Sequence, residues 1–527
     1  MSEESYVLVG LVIVLVVLAG RLLAGRLRMP DAIVLVGLGF AVSYLPGMRE
    51  IRVAPEIVLL VFLPALIYNA AFFSAPREMR SEARPIIALA VGMTLVSAFA
   101  IAGVTWLLLP GTSWAAAVAL GAAIAPTDAV SASAVLKRVG APNRVVTILE
   151  GESLINDGVA LTLFGLAVTA MSTPLTFGDG LRELLTVVVG GLAYGAVVAL
   201  AVAWLRKRLY DSNAQLVVSL VTPFVAYIPA ETVGFSGVLA AVVAGFYLGT
   251  RGEGLLPPRV RVTGHTVWRG LVMLLESTLF VLLGLQLHEV LVGIGGVPPV
   301  RLVGIAVAVI VVTVLVRLGW QVAVSPVMRY LPGPLRLDPG RLRDRVIIGW
   351  SGLRGAISLA MALSLPFTVN GEEFTDRSVL VFLAAAVVLA TLLGQGMTLP
   401  LVLRRMGVHQ EGSSRVEYAR AEVAISRAAL ARIDELLASG QTGEQVAETY
   451  RRFYTLRVKQ SRSVLDADER GGSPPPEAHG TAFLRHEISA AEREALLQLY
   501  RDGEIGHEVF QTVGHELDLA EPPRRKH

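Results

Sequence analysis

Four carboxylates stand inside two apolar segments, each long enough to cross a bilayer. They are Asp128 in GAAIAPTDAVSASAVL, and Glu150, Glu152 and Asp157 in RVVTILEGESLINDGVALTLF. An ionisable group at that depth is expensive, which makes each a functional-site candidate. Pro126 removes a backbone donor and disfavours helix at Ala125, so the first segment is expected to break beside Thr127 and Asp128, whose oxygens a cation can use. An unwound stretch of this kind is tolerated where it lines a cavity. At 3.6 residues per turn, Ser153 and Asp157 share one face of the second segment and Glu152 and Asn156 another, while Glu152 and Asp157 point apart. One helix can then aim Asp157 into a polar cavity and offer Glu152 to a cationic partner. The uncharged run from Gly158 to Ala170 places Asp157 near mid-span.

IAPTDAVSASAVL followed by GESLINDGVALTLF resembles the paired signature of the monovalent cation/proton antiporters, in the sodium/proton exchanger branch that carries an Asn-Asp pair. The resemblance spans about Tyr6 to Arg405 and does not reach the tail. It implies a monovalent-cation and proton site built from Asp157, Asp128, Thr127 and Ser153, with Asn156 beside them. It also implies electroneutral one-for-one exchange and a homodimer. Family members often present an acid in the third span after Leu-Pro-Pro; here LPALIYNAAFF has Ala65 for the second proline and Asn69 at the acid's position, so Asn69 is kept as a cavity candidate able to hydrogen-bond.

A second interrupted segment, RDRVIIGWSGLRGAISLAMALSLP, sets Gly349, Gly352 and Gly355 around Arg354. Counted as two halves of six spans about a linking seventh, it matches the Pro126 segment in position, the sequence pointer to an inverted-repeat transporter site. With opposite topology the breaks at Pro126 and at Gly352 and Gly355 can meet at the midplane. A buried guanidinium needs a partner. Glu152, aimed away from Asp157 and matched in the family to an acid that pairs with this arginine, is the expected one.

The elements that must position these groups follow from composition. The 527 residues are 54% hydrophobic and 17% charged, with repeated apolar runs of about 20 residues, which indicates an all-α polytopic membrane protein. We read 13 spans, at about 6–23, 31–46, 53–73, 85–109, 114–136, 145–170, 183–205, 214–230, 235–250, 266–288, 299–323, 346–367 and 378–403. They form two inverted repeats with crossed unwound helices, the core bundle falling at about 85–170 and 299–403. Residues 1–405 are the transmembrane domain and 406–527 a cytoplasmic helical tail, a candidate regulator. The chain has 18 basic and 20 acidic residues from Arg404 onward, against 28 and 23 before it, and the basic excess clusters in alternate loops. The positive-inside rule puts the N-terminus outside and the tail in the cytoplasm. The acidic start MSEES and the lack of a cleavage site make the first span a mature helix.

The tail histidines His409, His479, His486, His507, His515 and His527 show no metal spacing. Cysteine is absent, excluding disulfides and thiolate metal sites. There is no GxxxxGK[ST] loop and no Gly-Lys dipeptide, so work must come from an ion gradient rather than from that nucleotide motif. No enzyme activity, cofactor or nucleic-acid partner is expected; the partners are sodium or another monovalent cation, protons and the lipid bilayer. Sodium/proton antiport with cation and proton competing for Asp157 is the leading expectation. Potassium/proton antiport on the same fold is the alternative, and a channel or membrane sensor a third reading. TVGFSG at 232–237 superficially resembles a potassium filter, but it occurs once and is explained as a turn. Abundant arginine with four lysines suggests a high-GC bacterial source, and the cell membrane is the expected location.

Overall fold

In a hydrocarbon environment every backbone polar group must be satisfied within the chain, and the apolar runs do this as helices. The structure, a computed structural model, describes residues 3–27, 29–45, 57–128, 141–173, 177–252, 256–294, 297–330, 340–407, 413–469 and 477–502, with Asp338 and isolated positions between 132 and 139 and between 504 and 517. The chain divides into two compact units, residues 1–409 and 410–527.

In the first unit, eight helices are long and apolar enough to cross a membrane. These are α1 (Glu3–Leu27), α4 (Ala83–Leu108), α6 (Asn143–Ser172), α7 (Phe177–Arg206), α8 (Ser212–Thr232), α10 (Pro258–Gly293), α11 (Pro299–Tyr330) and α14 (Arg377–Arg405). Shorter apolar helices lie between them: α2 (Asp31–Val42), α3 (Val58–Phe72), α5 (Trp114–Ile124) and α9 (Gly237–Thr250). Two more, α12 (Leu342–Trp350) and α13 (Ala356–Leu363), flank a break. With 36 residues, α10 is longer than the span read at 266–288, and at 1.5 Å per residue it covers about 54 Å, more than a hydrocarbon core needs.

One group of helices joins α4 to α5, α5 to α6, α11 to α4 and α14, and α13 to α5 and α14. In another, α2 runs along α10, and α9 packs on α3, α7 and α8. The α2–α10 seam is a backbone contact: a Cβ on Gly39 would strike the Val281 carbonyl, and one on Gly284 the Val36 carbonyl. Only glycine permits that approach.

Four of the helices carry π-helical turns, at Val58–Phe62, Ala88–Met93, Trp320–Val324 and Leu392–Gly396. Each lies within a few residues of a proline (Pro64, Pro85, Pro326 and Pro400), where a ring interrupts the regular ladder. The polar loop after α13 folds back on itself, Thr368–Val369 pairing antiparallel with Glu372–Glu373. Asn370 and Gly371 take the two positive φ angles, 54° and 84°, that this tight turn demands.

The second unit holds α15 (Ser413–Ala438), α16 (Glu444–Glu469) and α17 (Glu477–Arg501). Helices α15 and α16 form a hairpin tied by Arg457–Glu422 at 3.0 Å and Arg451–Asp434 at 2.6 Å. Hydrogen bonds from Arg452 and Arg451 hold the exposed Glu448 carboxyl below its ordinary range. The side chains of all six tail histidines lie outside the described residues.

Candidate functional site

Helix α5 is capped by Ser113, whose hydroxyl accepts from the Ala116 N–H at 3.1 Å, and stops at Ile124, two residues before Pro126. Residues 125–128 continue without helix. Between α12 and α13 the chain is likewise irregular, through Gly352, Leu353, Arg354 and Gly355. These two interruptions meet: the Asp128 N–H donates to the Leu353 carbonyl at 2.7 Å, and a Cβ on Gly355 would lie 2.6 Å from Asp128 Oδ2. Asp128 therefore sits at the start of α13, where the helix dipole favours a negative charge.

Arg354 is fully buried and serves the opposite ends of the dipoles. Its Nε donates to the Ile124 carbonyl at 3.1 Å, at the C-terminus of α5, and its Nη1 to the Gly352 carbonyl just past α12. Its own N–H donates to Thr391 Oγ1 at 3.3 Å. One guanidinium thus satisfies carbonyls that both broken helices leave open.

The expected Glu152–Arg354 ion pair is not formed. Glu152 is instead gripped by Arg317 of α11, Nη1 to Oε1 at 2.5 Å and Nη2 to Oε2 at 3.0 Å, with both side chains at 0% exposure. The reason is geometric: Arg354 spends Nε and Nη1 on the carbonyls at the crossing, whereas Arg317 presents its planar fork to both carboxylate oxygens. Arg317 also donates to the Ile348 carbonyl from Nε (3.3 Å) and Nη2 (3.1 Å). The signal for it in the sequence is a lone arginine inside the apolar run VVTVLVRLGWQVAV.

From this pair a hydrogen-bonded chain leads toward Asp157. The Thr127 hydroxyl donates to Glu152 Oε1 at 3.1 Å, and Asn156 Nδ2 donates to Thr127 Oγ1 at 3.1 Å. Asn156 Oδ1, fully buried, accepts no hydrogen bond from the described residues. Asp157 is 6% exposed, lies within electrostatic reach of Asp128 and Glu152, and has no hydrogen-bond donor among the described residues. A carboxylate so placed needs a proton or a cation.

Thr127, Asn156, Glu152, Asp157 and Asp128 therefore converge. Ser153 sits half-buried one turn before Asp157 on α6, and Glu150 is half-buried a further turn toward the loop. Asn69 is half-buried on α3 and makes no hydrogen bond with this cluster among the described residues. A further carboxylate, absent from the sequence-based candidates, is Glu276 in the middle of α10, which lies within electrostatic reach of Asp128 and of Arg21 on α1. Its signal was again a single charge in an apolar run, LVMLLESTLFVLL.

The family model described as sodium/hydrogen exchanger, transmembrane, matches residues 11–405. An uncharacterised Na⁺/H⁺ exchanger of Mycobacterium tuberculosis is 32% identical, the match covering 98% of this chain and 97% of that protein. The low-affinity Na⁺/H⁺ antiporter NhaS1 of Synechocystis is 30% identical over 83% of this chain and 81% of its own length. A Bacillus subtilis antiporter of sodium, potassium, lithium and rubidium against protons is 27% identical over 93% and 74%. Among solved structures, the sodium proton antiporter MjNhaP1 of Methanocaldococcus jannaschii at pH 8 shares the fold with a TM-score of 0.60 at 19% identity, covering 76% of this chain and 99% of that one.

Proposed function

This chain belongs to the transmembrane sodium/hydrogen exchanger family, and from that premise we propose that its Na⁺/H⁺ antiport runs through Asp157, which holds either a sodium ion or a proton. The observation that carries the assignment is a buried carboxylate with no donor among the described residues, set beside the crossing of two interrupted helices. A hard monovalent cation takes oxygen ligands, and Asp157, Asp128, Ser153 and the orphaned Asn156 Oδ1 supply them; the Thr127 hydroxyl is engaged by Glu152 and Asn156. Because one carboxylate serves both ions, loading one requires release of the other. That competition couples the two fluxes.

Asn156 carries no charge, so Asp157 exchanges one positive charge for another and the cycle is electroneutral. The transport cycle is alternating access: the bundle of α4–α6 with α11–α14 rocks against the remaining helices, within 13 spans arranged as inverted repeats and a homodimer in the cell membrane. The basic loops put the N-terminus outside and residues 406–527 in the cytoplasm, where the tail regulates exchange.

The test uses proteoliposomes with an imposed pH gradient, an internal pH dye, and additions of Na⁺, Li⁺, K⁺ or choline. Dye recovery with Na⁺ or Li⁺, abolished in Asp157→Asn, is the expected result. An equal response to K⁺ would move the protein toward the broad selectivity in the Bacillus subtilis antiporter's name. Transport that survives Asp157→Asn would overturn the site. Competition also predicts that the apparent KM for Na⁺ rises as pH falls, by up to about tenfold per unit, with kcat little changed.

A further inference from the structure

The α15–α16 hairpin lies beyond the stretch that the exchanger family model matches, and it carries a feature that ion exchange does not use. Val446, Tyr450 and Phe453 of α16 fall at i, i+4 and i+7 and are 54, 57 and 47% exposed. Tyr418 and Ile425 of α15 fall at i and i+7 and are 52 and 62% exposed. Apolar residues at that spacing make the face that a helix ordinarily buries.

The direction of these side chains follows from the hairpin's own seam. Ala419 and Ser426 of α15 and Ala447 and Ser461 of α16 are buried where the two helices pack. Tyr418 immediately precedes Ala419, Ile425 precedes Ser426 and Val446 precedes Ala447, so each exposed residue stands about 100° round its helix from the seam. The step has the same sense on both helices. Arg457–Glu422 and Arg451–Asp434 pair them antiparallel, and equal rotations on antiparallel helices point to one side. The two stripes therefore form a single face.

The charge of this face is balanced. Between the stripes Arg457 closes on Glu422 at 3.0 Å, and the Ser461 hydroxyl donates to the other oxygen of that carboxylate at 2.5 Å. Arg452 and Lys459 lie about 120–140° round α16 from Val446, whereas a helix resting on a membrane borders its apolar face with such cations. Each helix has 26 residues, so the face is about 39 Å long and about 20 Å wide. That is roughly 800 Å², the contribution of one partner to a standard protein–protein interface.

We propose that this face docks on a second copy of itself, two hairpins stacking about a twofold axis into a four-helix bundle that joins two exchanger chains by their tails. A twofold axis sets the same surface against itself, so the face must not repel its copy. A closed ion pair flanked by uncharged side chains meets that condition; a foreign partner or an anionic membrane would be matched by a net charge of opposite sign.

The chain has no cysteine, so a single introduced thiol reports on its own copy alone. Tyr418→Cys, Tyr450→Cys and Phe453→Cys are made in the full-length protein and treated with a short bismaleimide in proteoliposomes. At least one is expected to give covalent dimer at a rate tenfold or more above that of Arg452→Cys, which α16 carries away from the face. Adding Ile425→Glu should slow that reaction at least tenfold with helix content unchanged. No dimer from any of the three, rates no higher than that of Arg452→Cys, or indifference to Ile425→Glu would overturn the proposal. So would cross-linking of Phe453→Cys to Leu497→Cys within one chain, which would give the face to α17. Quenching of a fluorophore on Phe453→Cys by brominated lipid would give it to the membrane and overturn the proposal as well.

Discussion

Arg317 and Glu152 show why a buried pair is best judged by what happens when half of it is removed. Arg317→Met would strand a carboxylate at 0% exposure, with the Thr127 hydroxyl as its remaining donor, and should cost about 3–5 kcal/mol in thermal unfolding. Adding Glu152→Leu should restore most of that loss, since an apolar pair of similar volume is often no worse than the ions it replaces. The double variant would still lack the anchor for Thr127 and Asn156, so its exchange should remain low while its stability recovers. At this scale the sequence was legible where a face of one helix decides the outcome: helical spacing separates Glu152 from Asp157 and joins Glu152 to Asn156, and Thr127 bonds both residues of that second face. It was not legible for the partner of Glu152. Two arginines stand in apolar runs, and choosing between them depends on which one the backbone carbonyls at the break already occupy.

Interrupted helices expose carbonyls and N–H groups, and here each break supplies what the other lacks. The stop at Pro126 was readable from a single letter, as was the looseness at Gly352 and Gly355. The hydrogen bond from Asp128 to the Leu353 carbonyl was not, because backbone groups have no letter. Gly355→Ala puts a methyl against the Asp128 carboxylate and should reduce the rate of exchange at least tenfold with little change in melting temperature, which separates a displaced ligand from a lost fold. Gly39→Val, on the α2–α10 seam, should do the reverse in order of cause: the protein should melt several degrees lower, with exchange per folded molecule near normal. The hairpin at 368–373, turning at Asn370 and Gly371, was not legible, because two-residue strands carry too little alternating pattern.

Across the whole molecule, antiport requires that the charge carried in each direction be equal if membrane potential is to leave the cycle alone. One elementary charge is worth about 2.3 kcal/mol per 100 mV, so an exchange rate that changes with valinomycin-clamped potential at saturating ions would show that a second group moves charge. Glu276, in reach of Asp128, would then be the first residue to neutralise. The Glu152–Arg317 pair also carries a timetable. Its partners are 165 residues apart, and at 5–20 residues per second a ribosome needs on the order of ten to thirty seconds to travel between them. During that interval α6 has no arginine to offer its glutamate, and α5 has not yet met the guanidinium that will close its open carbonyls. A nascent chain therefore holds Glu152 without its ion pair until α11 arrives. Assembly of the ion site for this reason waits on the second half of the chain, which brings both Arg317 and Arg354.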